Sequence, residues 1–111
     1  MNISYELNEI KPVVLSEYNG RQDVLKEITF TVIATDSDSG ISAGVVRTYR
    51  LDIDREYNDA EPFVPFENFT ESQIDTMLRD SLVKNGWKQL LETRIQNMID
   101  SAGPRTFSFQ N

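Results

Sequence analysis

Apolar and polar residues alternate with a period of two over the first half of the chain and recur at helical spacing over the second half. In "NISYEL", Ile3, Tyr5 and Leu7 alternate with Asn2, Ser4 and Glu6, the signature of a half-buried strand. "KPVVL" reads as a short continuation in which Pro12 marks an edge or a break. Asn19-Gly20 is a strong two-residue hairpin signal. "DVLKEITFTVIAT" then places Ile28, Phe30, Val32 and Ala34 on one face, with Glu27, Thr29, Thr31 and Ile33 on the other. "AGVVRTYRLDIDREY" repeats the alternation, with Val45, Arg47, Tyr49, Leu51 and Ile53 on the apolar side. Arg47 is expected near a strand end, its stem packed and its guanidinium in water.

The helical half opens at Thr70. Gln73 three residues later completes a capping-box pattern, and Phe69 with Ile74 makes a hydrophobic staple. Ile74, Met77, Leu78 and Leu82 form one apolar stripe, which Asn85-Gly86 ends. Trp87, Leu90, Leu91, Ile95, Met98 and Ile99 form a second, stopped by Gly103-Pro104. Trp87 reads either as a binding anchor or, by its place in the stripe, as the first core residue of a helix. The expected fold is a single α+β domain over residues 1–111. An antiparallel meander of three to four strands within 2–54 packs against a pair of helices within 71–101. Residues 55–69 are an aromatic and proline-containing connector whose side chains cover one end of the core, and 104–111 form a tail.

Composition narrows the chemistry. The chain has 111 residues, no histidine and no cysteine, which excludes imidazole acid–base catalysis, thiol nucleophiles and Cys- or His-ligated metal. No motif for a nucleotide, a serine nucleophile or a cofactor is present. The net charge is −7, and residues 36–69 hold most of the excess, with eight acidic and three basic side chains. That balance disfavours nucleic acid and favours a basic protein partner or plain solubility. The N-terminus lacks the basic and apolar regions of a signal peptide, and no apolar run would span a membrane. A site in the cytoplasm or in a particle assembled there is expected.

Two acidic stretches resemble metal sites. In "ATDSDSGISAG", Asp36 and Asp38 fit the first and third positions of a calcium loop. Gly40 then occupies the fifth position and Arg47 the twelfth, so a hairpin turn is favoured. In "RLDIDREY", Asp52, Asp54 and Glu56 are expected on one strand face, a pattern open to Mg²⁺ or Ca²⁺ binding, to divided acid and base roles or to partner binding, with the plain wet face of an antiparallel sheet favoured. Phe63 and Phe66 in the connector and Phe107 and Phe109 in the tail are the aromatic candidates for partner contact.

The stretch "PFENFTESQ" (Pro65 to Gln73), the helical residues to Ile99 and the Asn19-Gly20 turn resemble a family of small uncharacterised proteins of tailed bacteriophages. Members have a strand segment with an NG turn, an acidic middle and a "PFENLTEEQV"-like helix start. A second short helix and a proline-containing tail follow. The tail here departs from the family's Pro-Trp ending, carrying Phe107 and Phe109 instead. The resemblance implies a phage protein encoded near virion genes, and the leading expectation is an interaction or assembly component of the virion. It implies no enzyme activity and no cofactor. The partner expected is a protein: a second copy, another virion component or a host protein bound through the acidic middle.

Overall fold

A computed structural model describes residues 1–102. Three strands form one antiparallel sheet in the order β1 (Ile3–Tyr18), β2 (Arg21–Asp36), β3 (Ser42–Arg50). A 3-10 turn at Phe66–Asn68 precedes α1 (Glu71–Lys84) and α2 (Trp87–Ala102). The fold is therefore α+β, a meander followed by two helices. Both helices lie over one face of the sheet. Ile28, Phe30, Val32 and Ala34 of β2 are buried there against Leu78 and Leu82 of α1 and Leu91 and Ile95 of α2. Thr29, Thr31, Ile33 and Thr35 take the other face, where Thr29 and Thr48 share a 2.9 Å hydrogen bond and Thr35 and Ser42 one of 2.8 Å.

β1 and β2 are longer than the sequence pattern suggests. "KPVVL" continues the first strand, as its pattern suggests, and β1 runs through it without a break. Pro12 is accommodated because β1 is an edge strand. Asn19 and Gly20 both have positive φ (51° and 78°), as a type I′ turn requires. Beyond the turn the pairing is shifted twice. Glu9 and Ile10 together face Phe30, and Glu9 takes φ 51°, where glycine is the ordinary occupant. Further on, Val13 pairs with Glu27 and Val14 with Leu25, leaving Lys26 as an extra residue of β2. The first bulge moves the inward positions of β1 from odd to even numbers. Tyr5 and Leu7 pair with Ala34 and Val32, and then Pro12 pairs with Ile28, which leaves Lys11 on the outer face.

Three expectations are corrected. β3 ends at Arg50, four residues before the alternation suggested: the Leu51 amide makes a last in-phase bond to the Lys26 carbonyl (3.0 Å), and Asp52 then accepts from the Asp54 amide (3.1 Å), a turn of Asx type. Arg47 lies mid-strand opposite Phe30. β3 is the other edge of the sheet, so its guanidinium leaves sideways, resting 6.0 Å from the Trp87 ring. Met98 belongs to the exposed side of α2. Trp87 is half-buried and packs on Phe30 with ring centroids 6.1 Å apart, the core role. The Gly103-Pro104 stop lies outside the described residues.

At the start of α1 the Thr70 hydroxyl accepts from the Gln73 amide (3.1 Å), and the Gln73 side chain accepts from the Thr70 amide (2.8 Å). Removing that hydroxyl with Thr70→Ala is expected to cost about 1 kcal/mol in urea unfolding. Phe30→Ala, at a position with no exposure, is expected to cost about 3–5 kcal/mol. A Phe30→Ala loss no larger than that of Thr70→Ala would refute the placement of the core.

Candidate interaction surface

The Asp36 carboxylate is the most heavily engaged acid of the β2–β3 connection. It accepts from the Asn2 amide (2.9 Å), the Ser39 hydroxyl (2.7 Å), the Ser39 amide (3.2 Å) and the Asp38 amide (3.3 Å). The Asp36 amide donates to the Ile41 carbonyl, and the Gly40 amide donates to the Asp36 carbonyl with Gly40 at φ 76°. This carboxylate ties the N-terminus to a closed hairpin loop. The donors, first the Asn2 amide and then the Ser39 hydroxyl, hold its pKa below the usual carboxylate value. Its oxygens are spent on N–H and O–H groups, and no cluster of three or more metal-ligating side chains exists among the described residues.

Asp52, Asp54 and Glu56 do not share a strand face, because the strand has ended before them. Asp52 closes its turn through the Asp54 amide, and Asp54 accepts from the Tyr18 hydroxyl at the far end of the β1–β2 hairpin. That bond to Asp54 raises the pKa of the Tyr18 phenol. Glu56 is exposed. Beside them lies a cluster that alternation alone did not reveal. Tyr57 and Phe63 meet edge to face at 5.5 Å, and the Arg21 guanidinium lies 4.8 Å from the Tyr57 ring. Arg55 approaches Tyr57 at 4.7 Å and pairs with Glu61 at 2.7 Å. The connector thus folds back over the outer end of the hairpin as an arginine–aromatic stack.

Phe66 and Phe69 are half-buried against the core. With Ile74 they form one wall of an open groove whose other wall is Ile10 and Pro12 of β1. The bulge at Glu9 creates this groove by turning Ile10 and Pro12 toward α1. Nearby, the Tyr5 hydroxyl donates to Glu92 at 2.5 Å, Lys88 lies 5.2 Å from the Tyr5 ring, and Arg79 donates to the Tyr5 carbonyl at 3.2 Å. Burial, then the bond to Glu92, pushes the Tyr5 phenol well above its usual range. These contacts fasten both helices to the edge strand. Phe107 and Phe109 lie outside the described residues. Of the candidates, Phe63 sits in the arginine–aromatic stack with Tyr57, and Phe66 in the groove.

No protein-family model matches the chain, and no curated protein or solved structure matches it. No helix among the described residues is long and apolar enough to cross a membrane.

Two outcomes follow from the ionisable groups. The folded-state pKa of Asp36 lies below its unfolded value, so its contribution is present above that unfolded value and lost as pH falls through the folded one. Asp36→Asn is expected to lower the melting temperature at neutral pH, the gap to wild type closing on titration from about pH 5 to pH 2. A constant gap over that range would refute the linkage. The Tyr5 phenol is held protonated, so Tyr5→Phe is expected to delete a late-titrating component from the alkaline absorbance titration of the folded protein. An unchanged late component would refute the assignment.

Proposed function

We propose that this chain is a non-enzymatic bacteriophage protein, an interaction or assembly component associated with the virion. The observation that carries the non-enzymatic part is the disposition of the acids nominated for chemistry. Asp36, Asp52 and Asp54 each accept hydrogen bonds that shape a turn or hold the hairpin, and Glu56 stands in solvent. What remains at the surface is suited to contact: a groove of Ile10, Pro12, Phe66, Phe69 and Ile74. Support for a phage origin comes from the likeness of Pro65 to Gln73 and of the following helices to the phage family. The partner is a protein, and the place of action is the host cytoplasm or the particle.

A second reading has its own support. Asp52, Glu56 and Asp59 are exposed and make no salt bridge to a basic side chain among the described residues. They suit a basic surface on a host protein, approached through long-range attraction.

Mass spectrometry of purified particles of the encoding phage separates the readings. The virion reading expects the chain at a fixed ratio to the other structural proteins, and its absence from particles would end that reading. The host reading expects a salt-sensitive partner captured by wild type and lost with Glu56→Gln and Asp59→Asn together, since neither side chain supports the fold. Equal capture by that variant would dispose of the acidic surface.

A further inference from the structure

We infer that two copies of this chain pair through β3, antiparallel about a two-fold axis at Val46, joining two three-stranded sheets into one. The inference goes beyond the proposed function and stands on the backbone of β3 whatever the origin of the chain.

The phase of the hydrogen bonding decides which groups are free. At one end of β3 the Asp36 amide donates to the Ile41 carbonyl (2.9 Å); at the other the Leu51 amide donates to the Lys26 carbonyl (3.0 Å). The register between those points is unbroken from Thr35↔Ser42 to Glu27↔Arg50. Odd-numbered residues of β3 therefore bond to β2, and Ser42, Gly44, Val46, Thr48 and Arg50 turn their amides and carbonyls to the edge that no strand among the described residues pairs with. The Val46 carbonyl is met there by the Arg47 guanidinium of its own chain, at 3.1 Å, an exposed contact that the pairing replaces with the Val46 amide of the second copy.

The two edges of the sheet differ. β1 carries a left-handed residue at Glu9, the bulge around it, Lys11 and Pro12, all devices that blunt an edge. β3 has no bulge and no proline, and Val46 on its outer face is 57% exposed. A flat, regular edge of this kind is a template for another strand.

The side chains of β3 select a second copy as that strand. Val46 is the centre of Ser42–Arg50, so a two-fold axis there pairs the full length of both strands. Arg47 then faces Val45 of the second copy, Thr48 faces Gly44, Tyr49 faces Ala43, and Arg50 faces Ser42. Each bulky side chain meets a small or β-branched one. Within one chain nothing requires glycine at position 44. Its φ is not in the left-handed region, and a Cβ there would make only ordinary 3.6 Å contacts with Ile33 and Val32. Glycine inside a strand commonly marks close approach of another backbone, and the pairing supplies Thr48 of the second copy. Charge agrees as well. Arg50, loosely held at 3.8 Å from Glu27, would lie at the start of the second copy's acidic Asp36–Ile41 loop.

Sedimentation velocity over a range of concentrations tests the pairing, with Val46→Pro as the variant. The Val46 amide points away from β2, so proline there spares the sheet of one chain and blocks the joint. Wild type is expected to pass from monomer to dimer as concentration rises, and Val46→Pro to stay monomeric with an unchanged circular dichroism spectrum. A wild type monomeric throughout, or a Val46→Pro that dimerises equally, overturns the inference. Hydrogen exchange of wild type supplies a readout independent of the variant. The amides of Gly44, Val46 and Thr48 are expected to slow tenfold or more in the dimer. Protection that does not change with concentration overturns the pairing.

Discussion

β2 has a neighbour on each edge and helices over one face, and its side chains alternate with a period of two. That alternation is the constraint the other elements answer. Once Ile28, Phe30, Val32 and Ala34 face inward, any strand paired with β2 must bring its apolar residues to the same side, position by position. β3 does so without adjustment, through Ala43, Val45 and Tyr49. β1 cannot, because its apolar residues change parity between Leu7 and Ile10. The backbone absorbs the change as a bulge with Glu9 in a left-handed conformation.

The helices follow from the same core. Leu78, Leu82, Leu91 and Ile95 fill the space over β2, and the buried Ser81 satisfies its hydroxyl on the Leu78 carbonyl. Local signals agree with this packing, since the box at Thr70 and the left-handed Gly86 start and stop α1 where its stripe begins and ends. The polar fastenings lie at the rim. Tyr5 to Glu92, Arg79 to the Tyr5 carbonyl and Tyr18 to Asp54 tie helices and connector to the outer strand. Burial of apolar surface holds the centre, and hydrogen bonds hold the margins.

Much of this was legible in the residues. The inward face of β2, the Asn19-Gly20 turn, the capping box and the two stripes each follow from a local rule. The end of β3 was not, because alternation continues through Leu51 and Ile53 and the turn chemistry of Asp52 intervenes. The carboxylates of Asp52, Asp54 and Glu56 were grouped on that assumed strand and separate when it ends. The parity change in β1 was readable: Ile3, Tyr5 and Leu7 are odd and Ile10, Pro12 and Val14 even. It was obscured by Pro12, which suggested a break. The stack of Arg21, Tyr57 and Phe63 joins residues far apart in sequence, and no periodicity reports such a meeting.

The two irregularities in the hairpin each absorb one residue locally. β1 contributes one extra residue near Glu9, β2 contributes one at Lys26, and the offset introduced by the first is cancelled by the second. Excising both leaves every remaining cross-strand partner as it is. Excising either alone does the same, because each bulge sets two residues against one and losing the extra residue only makes the pairing regular there. Length variation in this hairpin is thus a local trait: a residue can be lost at either bulge while Ile3, Tyr5 and Leu7 keep their partners and their face, and a gap at one bulge needs no second gap to answer it.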